Sequence, residues 1–169
     1  MSVKPEVAEA ESIEIRTQLL ALLKGGQAHA TLDAAVKDFP AHLRGKVPEK
    51  LPYSAWQILD HLRFTQRDIL NFSAPPTGGY HAHKWPDDYW LKTPEPPSAH
   101  AWDECIASIR SDQEHFEALL TKTDADLSKP FRWGDGQNLL REALLIADHN
   151  AYHVGEIIVI RRLLGAWPS

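Results

Sequence analysis

From Leu139 to Leu164 the chain carries its longest apolar-rich segment, and two stripes run along it at helical spacing. Leu139, Ile146, His149, His153, Ile157 and Ile160 form one; Leu140, Leu144, Ala147, Ala151, Val154 and Ile158 form the other. Asn138 is placed to cap such a helix and Gly165 to end it. A helix apolar on most sides is buried on most sides. One stripe can face the core of a bundle. The second needs another surface, supplied by close packing within the chain or, the preferred expectation, by a homodimer interface.

The same segment contains Asp148-His149-Asn150-Ala151-Tyr152-His153-Val154-Gly155-Glu156. Four residues advance a helix by about 6 Å and a little over one turn, so His149 and His153 share a face, as a common metal ion requires. Glu156, three residues beyond His153, falls on that face too. Chance is a rival reading: with nine histidines in 169 residues, a shuffled chain holds roughly half an HxxxH pair on average.

The remaining chain supplies the other helices. Ile15, Leu19, Leu22 and Leu23 predict an amphipathic helix from about Ser12 to Lys24, stopped by Gly25-Gly26. Thr31 can cap a short helix through Val36, and Pro40 ends that piece. Residues 41–52 read as a connection with at most one helical turn. Ser54-Ala55-Trp56-Gln57 is a capping box, with Tyr53 and Ile58 placed as a hydrophobic staple. The helix it starts should reach about Phe72, with Ile58, Leu62, Thr65 and Ile69 inward and His61 one step from Leu62. Ser98 is placed to cap a third long helix carrying Trp102, Ile106, Ile109, Phe116 and Leu119-Leu120. No strand is evident, so four long helices predict an all-α four-helix bundle forming a single domain over residues 1–169, with 1–10 as a flexible tail.

Residues 73–98 differ in kind. Six prolines and Gly78-Gly79 alternate with Tyr80, His81, His83, Trp85, Tyr89 and Trp90. A connection this long is usually functional or disordered. The aromatics predict an ordered loop packed on the domain, either over a pocket mouth (Tyr80–Trp90) or as simple anchors.

Composition excludes several classes. A net charge of -5 with no basic run argues against nucleic acid. The single Cys105 excludes an internal disulfide and a cysteine zinc cluster, and reads as a small buried residue. Charged residues interrupt every apolar run below membrane-spanning length, and the first residues lack a secretory apolar core. A cytoplasmic protein with no membrane partner is the expectation.

His61 is the one other histidine inside a confidently placed helix on its apolar side. His29, His42, His81, His83 and His100 fall in loops or at helix ends, and His115 lies on a helix with no second ligand. Three inward imidazoles need polar partners. One metal ion satisfies all three; hydrogen bonds to core Asp or Tyr are the alternative.

Here the chain resembles the DinB-like proteins, a family named for DNA-damage-inducible members that includes YfiT-type metal-dependent hydrolases and bacillithiol S-transferase relatives. The resemblance rests on Pro52-Tyr53-Ser54-Ala55-Trp56-Gln57-Ile58-Leu59-Asp60-His61-Leu62, on Leu140-Arg141-Glu142-Ala143 with Asp148 through Ile157, and on Arg161-Arg162-Leu163-Leu164-Gly165-Ala166-Trp167. It spans about Glu11 to Trp167. It implies up-down-down-up bundle connectivity and a divalent metal held by His61, His149 and His153; three imidazoles suit Zn or Ni first, with Fe or Cu as further options. Relatives often carry Gln where this chain has Glu156, whose carboxylate is a candidate fourth ligand, base or hydrogen-bond acceptor, or is solvated or ion-paired. The implied activity is a metal-dependent thiol S-transferase or hydrolase acting on a small molecule, with a low-molecular-weight thiol as a candidate partner. A non-catalytic metal- or ligand-binding bundle and a metal-free interaction protein are the other readings.

Overall fold

The computed structural model describes residues 5–122 and 125–168. Five helices follow one another: α1 (Pro5–Lys24), α2 (Leu32–Val36), α3 (Ala55–Ser73), α4 (Ala101–Thr121) and α5 (Leu139–Leu163), with a 3-10 turn at Ala41–Leu43. Among the described residues there is no strand. The fold is all-α, as the sequence predicts. The four long helices close into a ring in which α3 packs on α4 and α5, and α1 packs on those same two helices from the opposite side. The short α2 lies on α5.

Most helix ends obey their local chemistry. Thr31 Oγ1 accepts from Ala34 N at 3.1 Å. In the capping box, Ser54 Oγ accepts from Gln57 N at 3.2 Å and Ser54 N donates to Gln57 Oε1 at 3.1 Å, so two orphan donors of α3 are paired reciprocally. Asn138 Oδ1 accepts from Arg141 N at 2.9 Å. Gly25 and Gly165, with φ of 67° and 69°, end α1 and α5 in the left-handed conformation that glycine adopts without a Cβ clash.

Two starts differ from expectation. α1 begins at Pro5, so the expected tail divides: residues 1–4 lie outside the described residues and 5–10 belong to the helix. α4 begins at Ala101; Ser98 still accepts from Ala101 N at 3.1 Å, but across a bend that delays the helix. The inner face of α1 is also rotated. Ile15 and Leu22 are exposed and Leu19 is buried, while Arg16 turns inward to donate to the Leu120 carbonyl in the last turn of α4 and to the Ala125 carbonyl beyond it.

On α5 the first stripe faces the core: Leu139, Ile146, His153, Ile157 and Ile160 are buried. The second stripe lies against the chain itself, apart from exposed Leu144. Ala147, Ala151 and Val154 meet Leu22, Leu23 and Leu32 across a small crevice. α1 and α2 therefore pack on part of this face, the close packing within the chain that was the alternative to a homodimer interface. Val154 is buried there, while Leu140, Ala147, Ala151 and Ile158 are half-buried.

The interior holds two apolar clusters. One centres on Trp56, Leu59, Leu62, Trp102, Ile109 and Ile157, the other on Ile69, Phe116, Leu120 and Ile146. Between them α3, α4 and α5 contribute polar side chains, among them Gln66, Asp112, Asn150 and the histidines. Cys105 is buried, as its composition reading predicts, and burial pushes its thiol up to about 12.

Candidate metal centre

His61 stands on the second turn of α3, behind the capping box that sets that helix's start. His149 and His153 stand one turn apart near the middle of α5. The contact between these two helices brings all three together, with one ring nitrogen of each within 4.8 Å of the others. The structure thus gathers the three histidines that the sequence selects. The other six stay outside this cluster.

Their hydrogen bonds define the inward atoms. His61 Nδ1 lies 3.0 Å from the Tyr89 carbonyl. A carbonyl only accepts, so Nδ1 carries the proton and Nε2 presents a lone pair. His153 Nδ1 lies 2.6 Å from Glu156 Oε2, and donation to that carboxylate likewise leaves Nε2 free. Metal-binding histidines are oriented in this way, with the outer N–H held by a carbonyl or carboxylate. His149 Nε2 sits 3.1 Å from His61 Nε2. Two nitrogens bound at about 2.0–2.1 Å to one tetrahedral ion lie about 3.3 Å apart, so this spacing suits a shared cation.

Protein partners do not satisfy the cluster. His149 Nδ1 is buried without a hydrogen-bond partner. If His149 protonates Nε2 to bond His61, Nδ1 is a bare acceptor. If it protonates Nδ1, two lone pairs face each other across 3.1 Å. An unsatisfied buried group costs about 1–3 kcal/mol. A cation between the nitrogens removes the facing lone pairs, and this fits the donor set to a divalent metal.

Electrostatics agree. Burial lowers the His61 pKa, and burial followed by the neighbouring imidazoles holds His149 and His153 down at about 4. All three are neutral at pH 7, the form a metal requires. Burial raises the Glu156 carboxyl above its ordinary range.

The aromatic loop packs onto this centre. Trp90 stacks on His61 with centroids 3.9 Å apart and planes 9° from parallel, and Tyr53 stacks on the other side of Trp90 at 4.0 Å. Trp85, 65% exposed, stands 6.4 Å from the His61 ring. The loop is both anchored and placed against the histidines. Tyr53, expected to staple Ile58, lines the same groove as Ile58 and also stacks on Trp90. On the α5 side, Leu51, Pro52, Tyr53, Ile58, Tyr152, Val159 and Glu156 line a mostly apolar groove of about 330 Å3.

A sequence family model adds the decisive comparison: the DinB superfamily model matches residues 26–157, more than half of the 169-residue chain. The chain belongs to the DinB superfamily. The matched span includes His61, His149, His153 and Glu156 and excludes α1. No curated protein and no solved structure matches the chain. For a DinB superfamily chain, a three-histidine group able to hold a metal is compatible with metal-dependent chemistry. No described helix is long and apolar enough to cross a membrane.

Sequence reasoning missed the Tyr89 carbonyl, the Trp90 stack and Asp68. Tyr80 and Tyr89 donate to Asp68 at 3.0 and 2.6 Å. A signal for Asp68 was present: it follows His61 by seven residues, on the same face of α3.

Proposed function

We propose that His61, His149 and His153 bind one divalent transition metal, Zn or Ni first, and that the protein is a metal-dependent enzyme of the thiol S-transferase or hydrolase type. The observation that carries this reading is the convergence of three neutral imidazoles, two with their outer N–H groups committed to acceptors. A divalent ion held there supplies Lewis acidity that makes a thiolate or hydroxide available near pH 7.

The chain's residues do the rest. Glu156 accepts the His153 Nδ1 proton in a hydrogen bond and keeps that imidazole in one tautomer. Its carboxylate is also the candidate base for a proton leaving the thiol or water. The groove beside Glu156 receives the apolar part of a small substrate, with Tyr53 and Tyr152 as its walls. Trp90 and Trp85 limit water on the His61 side.

Metal analysis of protein purified without a histidine tag tests the proposal. About one ion per chain is expected, with none in His153→Ala; equal metal content in the two proteins defeats it. A second reading is a non-catalytic metal-binding bundle. It is favoured by the commitment of Glu156 to His153 at 2.6 Å, which suits an orienting group as well as a base. Turnover of a thiol with an electrophile, or of an ester, by the metal-loaded protein separates the two.

A further inference from the structure

Asp68 closes a ring of contacts around His61. It is buried on α3, and each of its oxygens accepts from a different phenol of the following loop. Tyr80 donates to Oδ1 at 3.0 Å and Tyr89 to Oδ2 at 2.6 Å. Tyr89 then turns its own carbonyl to His61 Nδ1 at 3.0 Å, and the next residue, Trp90, stacks on the His61 ring. From His61 the path runs two turns along α3 to Asp68, across to the Tyr89 ring, through one residue's backbone, and back to His61.

Two further contacts hold Tyr89 in register: its ring meets Phe64 edge-on at 5.0 Å and Trp85 edge-on at 5.2 Å. Both phenols keep their protons at neutral pH, because burial and then the Asp68 carboxylate push Tyr80 up to about 12 and Tyr89 higher still. They are therefore donors, and Asp68 is the acceptor that positions them.

We infer that Asp68 is a positioning residue for the metal centre: by clamping Tyr89, it fixes the carbonyl that holds His61 in the tautomer with Nε2 free. The inference rests on His61 being a ligand, but the tautomer it predicts exists without metal. Tyr80 provides the internal contrast. It hangs on the same carboxylate and anchors the same loop, while the carbonyl at His61 belongs to Tyr89. A role limited to fastening the loop makes the two tyrosines equivalent; a positioning role does not.

The test combines metal titration with imidazole 15N spectra of the metal-free protein. Outer hydrogen-bond partners of metal-binding histidines typically account for about 10–100-fold in affinity. Tyr89→Phe and Asp68→Ala should each weaken Zn2+ binding by about tenfold. The double variant should be no weaker than either single one, since both break one path. Tyr80→Phe should stay within about twofold, and Asp68→Asn, which keeps an acceptor oxygen, should recover most of the loss to alanine. In metal-free wild-type protein, His61 should be protonated at Nδ1, and in Tyr89→Phe the two tautomers should mix. Equal effects of Tyr80→Phe and Tyr89→Phe, or a His61 tautomer unchanged in Tyr89→Phe, overturn the inference. If wild-type protein takes up no metal, the functional proposal fails and the spectra still decide the role of Asp68.

Discussion

Two places on α5 bury polar nitrogen, and they are built on opposite principles. At the C-terminal end Arg161 is 1% exposed. Its guanidinium donates to the carbonyls of Ala35, Lys37 and Ala166 at 2.8, 2.9 and 2.9 Å, and lies between the rings of Phe39 and Trp167. These donors meet carbonyls that the end of α2 and the chain after α5 leave unpaired. The arrangement is closed and has no vacant valence. Two to three turns back, His61 and His153 turn their outer nitrogens to acceptors, His149 Nδ1 has no partner, and the three rings converge on one another. Buried polarity alone marks neither place as a site. The distinction lies in whether hydrogen-bond capacity is used up by the chain or left convergent.

The largest expected effect falls on the histidines. His153→Ala should weaken metal binding by on the order of 1,000-fold, since it removes one of three ligands from a site of several kcal/mol per ligand. Titration with a chelator-buffered metal series measures this, and retention of wild-type affinity would erase the contrast with Arg161. Next comes Arg161→Ala, which strands the α2 carbonyls and should lower folding stability by about 3 kcal/mol, with metal stoichiometry unchanged. Urea unfolding reads the stability; a loss below about 1 kcal/mol would show the Arg161 cluster to be less closed than its geometry indicates.

The pH response distinguishes the two clusters further. His149 and His153 have folded-state values near 4 against 6.5 when unfolded. Between those values the unfolded chain binds more protons, so the metal-free protein should be fully stable above about 6.5 and weaken as pH falls toward 4. Each imidazole contributes at most about 1.4 kcal/mol per pH unit. Glu156, raised by burial, has the opposite sign and partly offsets the slope. Urea midpoints from pH 7.5 to 4.5 measure it, and a flat profile contradicts neutral burial. The smallest effect is expected from Glu156→Gln, which keeps an acceptor for His153 Nδ1 but loses the charge. Metal affinity should fall by about tenfold. If turnover falls much further than binding, Glu156 also moves a proton; parallel losses leave it an orienting group.

Much of this was legible along the chain because it is local. The capping box at Ser54, the Asn138 cap and the glycine stops act within one turn, so residue identity places those helix ends. The pair His149 and His153 is local in the same sense. His61 became a candidate through its place on the apolar side of a well-started helix. Less local features were harder to read. Ser98 bonds Ala101 across a bend, and the α1 face turns on Arg16 reaching carbonyls more than a hundred residues away.

Sequence by itself therefore determined the four long helices, most of their caps and the candidate histidines, since helical periodicity and backbone satisfaction are set by near neighbours. Only the tertiary structure decided which face of α5 is covered, and by what: α1 and α2 rather than open surface. It also decided how His61 is held. A backbone carbonyl has no residue signature, so the bond from His61 to Tyr89, 28 positions away, exists only once Asp68 and the aromatic loop meet in space.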